Sequence, residues 1–292
     1  MTKPDHTKKI KKSLSVLLKL FITAGLLYLV YSKIKLSDIK EKLDNANMFW
    51  LLMGIVLVAV SQVLSSARLR KLMIKSHLPI SLRSNSELYV LGMFYNFFIP
   101  GGVGGDAYKV YLLNKSFGWK VKRLIKLMVA DRLFGMFGII AIVCLLGITL
   151  PYFSFSYGLQ VALGIAFVAM FLIMGRWFVK LFFKDYVHYF YTGIGYSVVV
   201  QLFQVLCVIC ILQAFGGVSV SLYLIYILVF LISSLLSVFS FSGIGVREYV
   251  FLQASAIFSL DIQTAVSVGA VFSILTAVIS APGLYYHFRK PA

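Results

Sequence analysis

The sequence predicts an all-α polytopic membrane protein, with six full transmembrane helices plus two re-entrant helical hairpins in an inverted repeat. Three observations carry that prediction. Of 292 residues, 60% are hydrophobic and only 13% charged, and the mean hydropathy of +0.92 lies far above that of an ordinary soluble domain. The apolar residues gather into runs of about 20, the length that crosses a bilayer core. Two further apolar regions are each broken near the middle by a glycine-rich turn.

The full-length runs are 13–31, 48–66, about 126–150, 157–175, about 190–215 and about 263–287. The first follows a basic N-terminus (Lys3, Lys8, Lys9, Lys11, Lys12) with no small-residue cleavage site, so it reads as a retained helix. Hairpin A covers 87–116 and bends at Pro100 to Asp106. Its entering arm, 87–99, is about 20 Å long as helix, too short for a core of about 30 Å. It must turn back, and non-helical backbone at that depth is tolerated only against protein or water. Hairpin B covers 221–259 and bends at Ser242 to Glu248. Its first arm, 221–239, is long enough to span, which leaves seven or eight full spans as the alternative.

Charge placement orients the chain. A net charge of +18 would suggest nucleic acid in a soluble protein, but the charges fall between the apolar runs. With hairpin A entering from the cytoplasm and hairpin B from outside, 21 of the 28 basic residues face the cytoplasm, as the positive-inside rule demands. Both termini come out cytoplasmic, in a multi-pass protein of a bacterial or archaeal inner membrane. Nucleic acid is excluded as a partner.

The same map divides one integral membrane domain, 1–292, into halves 13–150 and 157–287 of opposite orientation, each reading span, span, hairpin, span. Their tips align without a gap, Gly102 to Tyr108 against Gly243 to Tyr249. Inverted repeats with broken helices are a transporter architecture.

Charges inside this frame need a reason, because each costs roughly 2.5–3.5 kcal/mol at a helix centre. Asp106, Lys109, Asp131, Arg132, Arg247 and Glu248 lie in or beside the turns or just inside a span. The plain alternative is structural: Asp106 and Glu248 cap the return helices, and Asp131 and Arg132 pair at the interface. The functional reading starts from the return helices, whose unsatisfied N–H groups and positive dipole ends point inward and suit a phosphate. Arginine adds bidentate donors. Gly101, Gly102, Gly104 and Gly105 allow close backbone approach, Gly243 and Gly245 do so in the second tip, and Asn96 is an extra donor. At the aligned tip position Asp106 faces Arg247, opposite signs able to pair if the tips meet. The glycine run is no nucleotide P-loop, lacking the lysine, the hydroxyl and the preceding strand. Cys207 and Cys210 form a C-x-x-C inside an apolar run, where small core residues are the plain reading. No metal or catalytic motif stands out, and no cofactor is expected.

Three ordered motifs carry a family resemblance: G-x-F-x-N-x-x-x-P-G-G-x-G-G-D at Gly92 to Asp106, D-R-x-x-G at Asp131 to Gly135, and S-G-I-G-V-R-E at Ser242 to Glu248. The chain resembles the lysylphosphatidylglycerol synthase transmembrane-region family of flippase-like membrane proteins. That resemblance implies a headgroup site at Asn96, Gly101, Gly102, Gly104, Gly105, Asp106, Asp131, Arg132, Gly243, Gly245, Arg247 and Glu248, to which Lys109 is added from its own position beside the first turn. It implies a phospholipid or polyprenyl-phosphate lipid as partner and allows a homodimer. The sequence shows no soluble aminoacyltransferase domain, so lysyltransferase activity is not inherited with the family name. The expected function is a flippase or transporter of a phosphate-containing lipid such as aminoacyl-phosphatidylglycerol, and not an enzyme. The alternatives are a membrane-embedded lipid-modifying transferase and a non-catalytic assembly partner.

Overall fold

The computed structural model describes residues 25, 28–30, 36–98, 104–148, 156–237 and 243–288. Its elements are helices, with no strand among them. In chain order they are α1 (Leu36–Asp44), α2 (Met48–Lys75), α3 (Leu82–Phe98), α4 (Gly104–Phe117), α5 (Val121–Ile148), α6 (Tyr157–Phe182), α7 (Phe190–Phe215), α8 (Tyr223–Leu236), α9 (Val246–Phe258), α10 (Ile262–Ser280) and α11 (Gly283–Phe288). Short 3-10 turns at Lys184–Tyr189 and Val220–Leu222 lead into α7 and α8.

Five of the predicted spans are present as helices long and apolar enough to cross a membrane: α2, α5, α6, α7 with its leading turn, and α10 continued through α11. The sixth, 13–31, falls almost wholly outside the described residues. Several run past the hydrophobic stretch that announced them. The second span ends in sequence at Ser66, yet α2 continues unbroken to Lys75, because Arg68, Leu69, Arg70 and Lys71 are all compatible with helix and its inward face stays buried to Met73. Asn47 caps its start through Oδ1, which accepts the Phe49 N–H at 3.0 Å.

The two broken regions each give a pair of short helices. α3 has 17 residues, α4 has 14, α8 has 14 and α9 has 13. At 1.5 Å per residue these are about 20–26 Å long, each short of a core of about 30 Å. Pro100 to Gly102 and Ser242 lie in the connecting segments outside the described residues.

α2 and α7 pack along one another more extensively than any other pair. They run antiparallel: Asn47 N–H, before α2, donates to Ala214 O near the end of α7, while Tyr189 Oη, just before α7, donates to Arg68 O towards the end of α2. Small residues make the seam close. A Cβ on Gly54 would lie 3.4 Å from Cys207 Sγ, and Ser61, Ser65 and Ser197 are buried along it. A hydrophobic core sits at each end. One gathers Val58, Ile211, Phe230, Phe251 and Phe272 beneath α8 and α9. The other gathers Leu72, Leu88, Leu113, Phe134 and Phe190 beneath α3 and α4. The broken pairs therefore occupy opposite ends of the α2–α7 seam. Each also reaches across: α3 packs against α10 and α11, and α8 packs against α5.

Candidate functional site

Hairpin A is closed by backbone contact. A Cβ on Gly105 would overlap the Gly92 carbonyl oxygen, so the crossing of α3 and α4 requires that glycine; one on Gly92 would displace the flexible end of Lys109. Asn96 serves this crossing as an acceptor: its Oδ1 takes the Gly105 N–H at 3.0 Å, satisfying one of the orphan donors at the start of α4 from the opposite arm. This differs from the donor role expected from sequence. The closed crossing delivers Asp106 in the first turn of α4.

The Asp106 carboxylate bridges two cations. Arg132 Nε on α5 donates to Oδ2, and Lys109 Nζ, one turn along α4, lies 3.4 Å from Oδ1. Lys109 is buried, its ammonium 4.7 Å from the centre of the Tyr89 ring. Asp106 has 14% of its side chain exposed against 42% for Arg132, so the cluster opens to the outside through the guanidinium. One carboxylate against two cations leaves a positive balance beside the N-terminal end of a helix, the electrostatics of an anion receptor.

Asp131, adjacent in sequence, points elsewhere. Its two oxygens accept from Arg68 Nε and Nη2, both at 2.9 Å, in a bidentate pair. Arg68 Nη1 also donates to Ser197 Oγ at 2.7 Å, so one buried ion pair fastens α2, α5 and α7 together. Arg68 is one of the 21 basic residues that charge placement assigns to the cytoplasmic side, and sequence reasoning missed its pairing. The signal was present: Gly54, Val58, Ser61, Ser65, Arg68 and Leu72 recur at three- and four-residue spacing, one helical face that stays small or buried throughout.

In the second broken pair, Gly243 and Gly245 hold φ of +86° and +82°, a region open to glycine at little cost. They turn the chain into α9, whose first turn is capped by Glu248: Oε2 accepts the Gly245 N–H at 2.7 Å. Arg247 is buried against the faces of Phe272 and Phe230, with its guanidinium carbon 4.8 and 5.9 Å from the ring centres. Its Nη1 donates to Ser273 Oγ at 2.9 Å, and that hydroxyl donates to Glu248 Oε1 at 3.2 Å. Arg247 Nε is buried with no hydrogen-bond partner among the described residues.

The site residues proposed from sequence thus form two groups. Asn96, Gly104, Gly105, Asp106, Lys109 and Arg132 come together around hairpin A, and Gly243, Gly245, Arg247 and Glu248 around hairpin B. Asp131 belongs to the α2–α5–α7 pair, and Gly101 and Gly102 lie outside the described residues. Among the described residues no ion pair joins Asp106 to Arg247; Asp106 meets Arg132 and Lys109 instead, and Arg247 meets Ser273.

A cavity of about 240 Å³ lies between α2, α3 and the end of α10, with Tyr89 in its wall. Tyr89 Oη donates to Gln62 Oε1 at 3.3 Å across that wall.

No curated protein matches this sequence at a significant level. The family model described as lysylphosphatidylglycerol synthase TM region matches residues 16–192, more than half of the chain. The match contains the Gly92–Asp106 and Asp131–Gly135 motifs and ends before the third. Five membrane-length apolar helices and this match together make the molecule a multi-pass membrane protein, and the chain belongs to the lysylphosphatidylglycerol synthase transmembrane-region family.

Proposed function

We propose that this protein is a transporter that moves a phosphate-containing lipid between leaflets, its headgroup held at the Asp106–Lys109–Arg132 cluster. The carrying observation is the charge balance: two cations share one carboxylate at the buried start of α4, where an unneutralised charge is costly. A phosphate sharing Arg132 and Lys109 with Asp106 removes that excess. The family's name points to phosphatidylglycerol chemistry, and the cluster itself suits any phosphate headgroup, whether of a phospholipid, its aminoacyl derivative or a polyprenyl carrier. Arg247, buried and without a direct carboxylate contact among the described residues, is a second cation near the other glycine turn, with Glu248 close to it through Ser273.

Both broken pairs are read as hairpins that enter and return, one from each side of the membrane. Their placement at opposite ends of the antiparallel α2–α7 seam, and the reciprocal packing of α3 on α10 and of α8 on α5, support halves of inverted orientation with both termini cytoplasmic. Such halves alternate access by rocking about their shared interface. Transport, and not transfer of a group onto lipid, is the activity assigned.

The test is leaflet exchange of a headgroup-labelled phosphatidylglycerol in vesicles holding the purified protein. Arg132→Gln should slow exchange at least about tenfold, the effect of losing one charge-assisted contact of about 1.4 kcal/mol. Its unfolding should be nearly unchanged, because Arg132 is partly exposed. Wild-type exchange by this variant rules the cluster out as the headgroup site, and formation of a covalently modified lipid by the wild type favours the transferase reading.

A further inference from the structure

We infer that the cavity between α2 and α3 is a slot for one hydrocarbon chain of the transported lipid, an inference that rests on the headgroup reading above. The occupant follows from the lining, the length and the neighbours. Ala59, Val63 and Ala67 on α2 and Leu82, Val90 and Met93 on α3 make the walls predominantly apolar. α2 is a membrane-length helix, and Val63 on it is 68% exposed, so it presents apolar surface to the hydrocarbon, while Leu82 closes the other end of the recess beside the exposed Arg83. An apolar recess opening there exchanges contents with lipid tails, and no aqueous solute gains by entering it.

The length suits a stretch of one chain. Leu82 and Met93 are eleven residues apart on α3, about 16 Å of helix. Tyr89, the residue beside the cationic cluster, lies seven residues from Leu82, so about 10 Å of recess runs from the headgroup end along α3. The polar side chains are few and orienting: Gln62, Ser66, Ser86 and the Tyr89 hydroxyl. Asn85 Nδ2, donating to Ser66 O at 3.0 Å and to Ser66 Oγ at 2.8 Å, pins α3 to α2 beside the recess and holds its walls at a fixed separation.

Tyr89 is a wall of the slot and also the ring beneath the Lys109 ammonium. A single side chain therefore separates the hydrocarbon recess from the cationic cluster. A lipid whose phosphate meets Lys109 and Arg132 can lay one tail along α3 without leaving the protein, and the slot then selects for lipids with a long chain over headgroups alone.

The test uses phosphatidylglycerol carrying a photoactivatable diazirine near the end of one acyl chain, in vesicles with the full-length protein, with adducts mapped by mass spectrometry. Adducts are expected on Ala59, Val63 and Met93, falling at least tenfold in Ala67→Phe and also in the gentler Ala59→Leu, which guards against misfolding of the first. Adducts confined to the outer apolar residues of α6, Leu163 and Ile165, in the wild type, or undiminished labelling of the slot in both filled variants, overturn the inference. The headgroup reading is separated by Arg132→Gln: a loss of lipid exchange there with slot labelling absent from the wild type leaves the cluster standing and removes the slot. Competition by glycerol phosphate, which has a headgroup and no tail, should be equal in Ala59→Leu and wild type; a change there places the effect at the headgroup and overturns the slot.

Discussion

Replacing Asp131 by asparagine keeps the shape of the side chain and removes the charge opposite Arg68. The two side chains are only 10% and 14% exposed and meet through two 2.9 Å hydrogen bonds. Arg68 keeps its Ser197 contact and the one amide oxygen that asparagine still offers, but its guanidinium is left without a counter-charge where water cannot solvate it. Breaking a buried pair by removing one partner costs about 3–5 kcal/mol. Converting both members to apolar residues, Arg68→Met with Asp131→Leu, removes the stranded charge and should recover most of the loss, giving an interaction energy of at least about 2 kcal/mol in a double-variant cycle. Reversible unfolding in mixed detergent micelles, followed by circular dichroism, measures both. Asp131→Asn within about 1 kcal/mol of wild type, or a double variant no better than the single, refutes the claim that this pair fastens α2, α5 and α7.

Two further outcomes follow from the geometry. Gly105→Ala places a methyl against the Gly92 carbonyl and within 2.7 Å of the Asn96 side chain; backbone cannot yield as a side chain does, so the arms of hairpin A must part, at a cost of about 3 kcal/mol read as a lower unfolding midpoint together with loss of lipid exchange. At Asp261, in the loop before α10, burial pushes the carboxyl up, but hydrogen bonds from Thr264 and the nearby Lys42 charge outweigh it and hold the group below its usual range. Its contribution is therefore complete above the ordinary carboxylate value of about 3.9 and is lost as pH falls through the lower folded value. With 59% of that side chain exposed the effect is under about 1 kcal/mol. Melting between about pH 6 and pH 3 should lose part of its acid dependence in Asp261→Asn; an unchanged acid limb contradicts the assignment.

Hydropathy and glycine punctuation made the frame legible, because a bilayer imposes a length on every crossing helix and only a broken segment escapes it. Helix ends were less so: α2 runs nine residues past Ser66 to Lys75, since charged residues at an interface interrupt hydropathy without interrupting helix. At the site, residue types were readable and partners were not. Asp131 and Arg132 look like one pair in sequence, yet successive residues on a helix point about 100° apart, so Asp131 turns to α2 and Arg132 to α4. Arg68 was hidden among Arg70, Lys71 and Lys75, which share its charge but not its face. Asn96 faced the turn as expected, and only the fold could show that a backbone N–H already occupied its oxygen.

The α2–α7 seam has a mechanical consequence. Where two helices touch through glycine, serine and cysteine, their main chains sit too close to slide without collision, whereas contacts made by long side chains can be exchanged one for another. In the rocking motion we propose, such a tightly meshed stretch would serve as the fulcrum. That proposal leaves motion to the periphery, where α3 leans on α10 and α11 and α8 leans on α5.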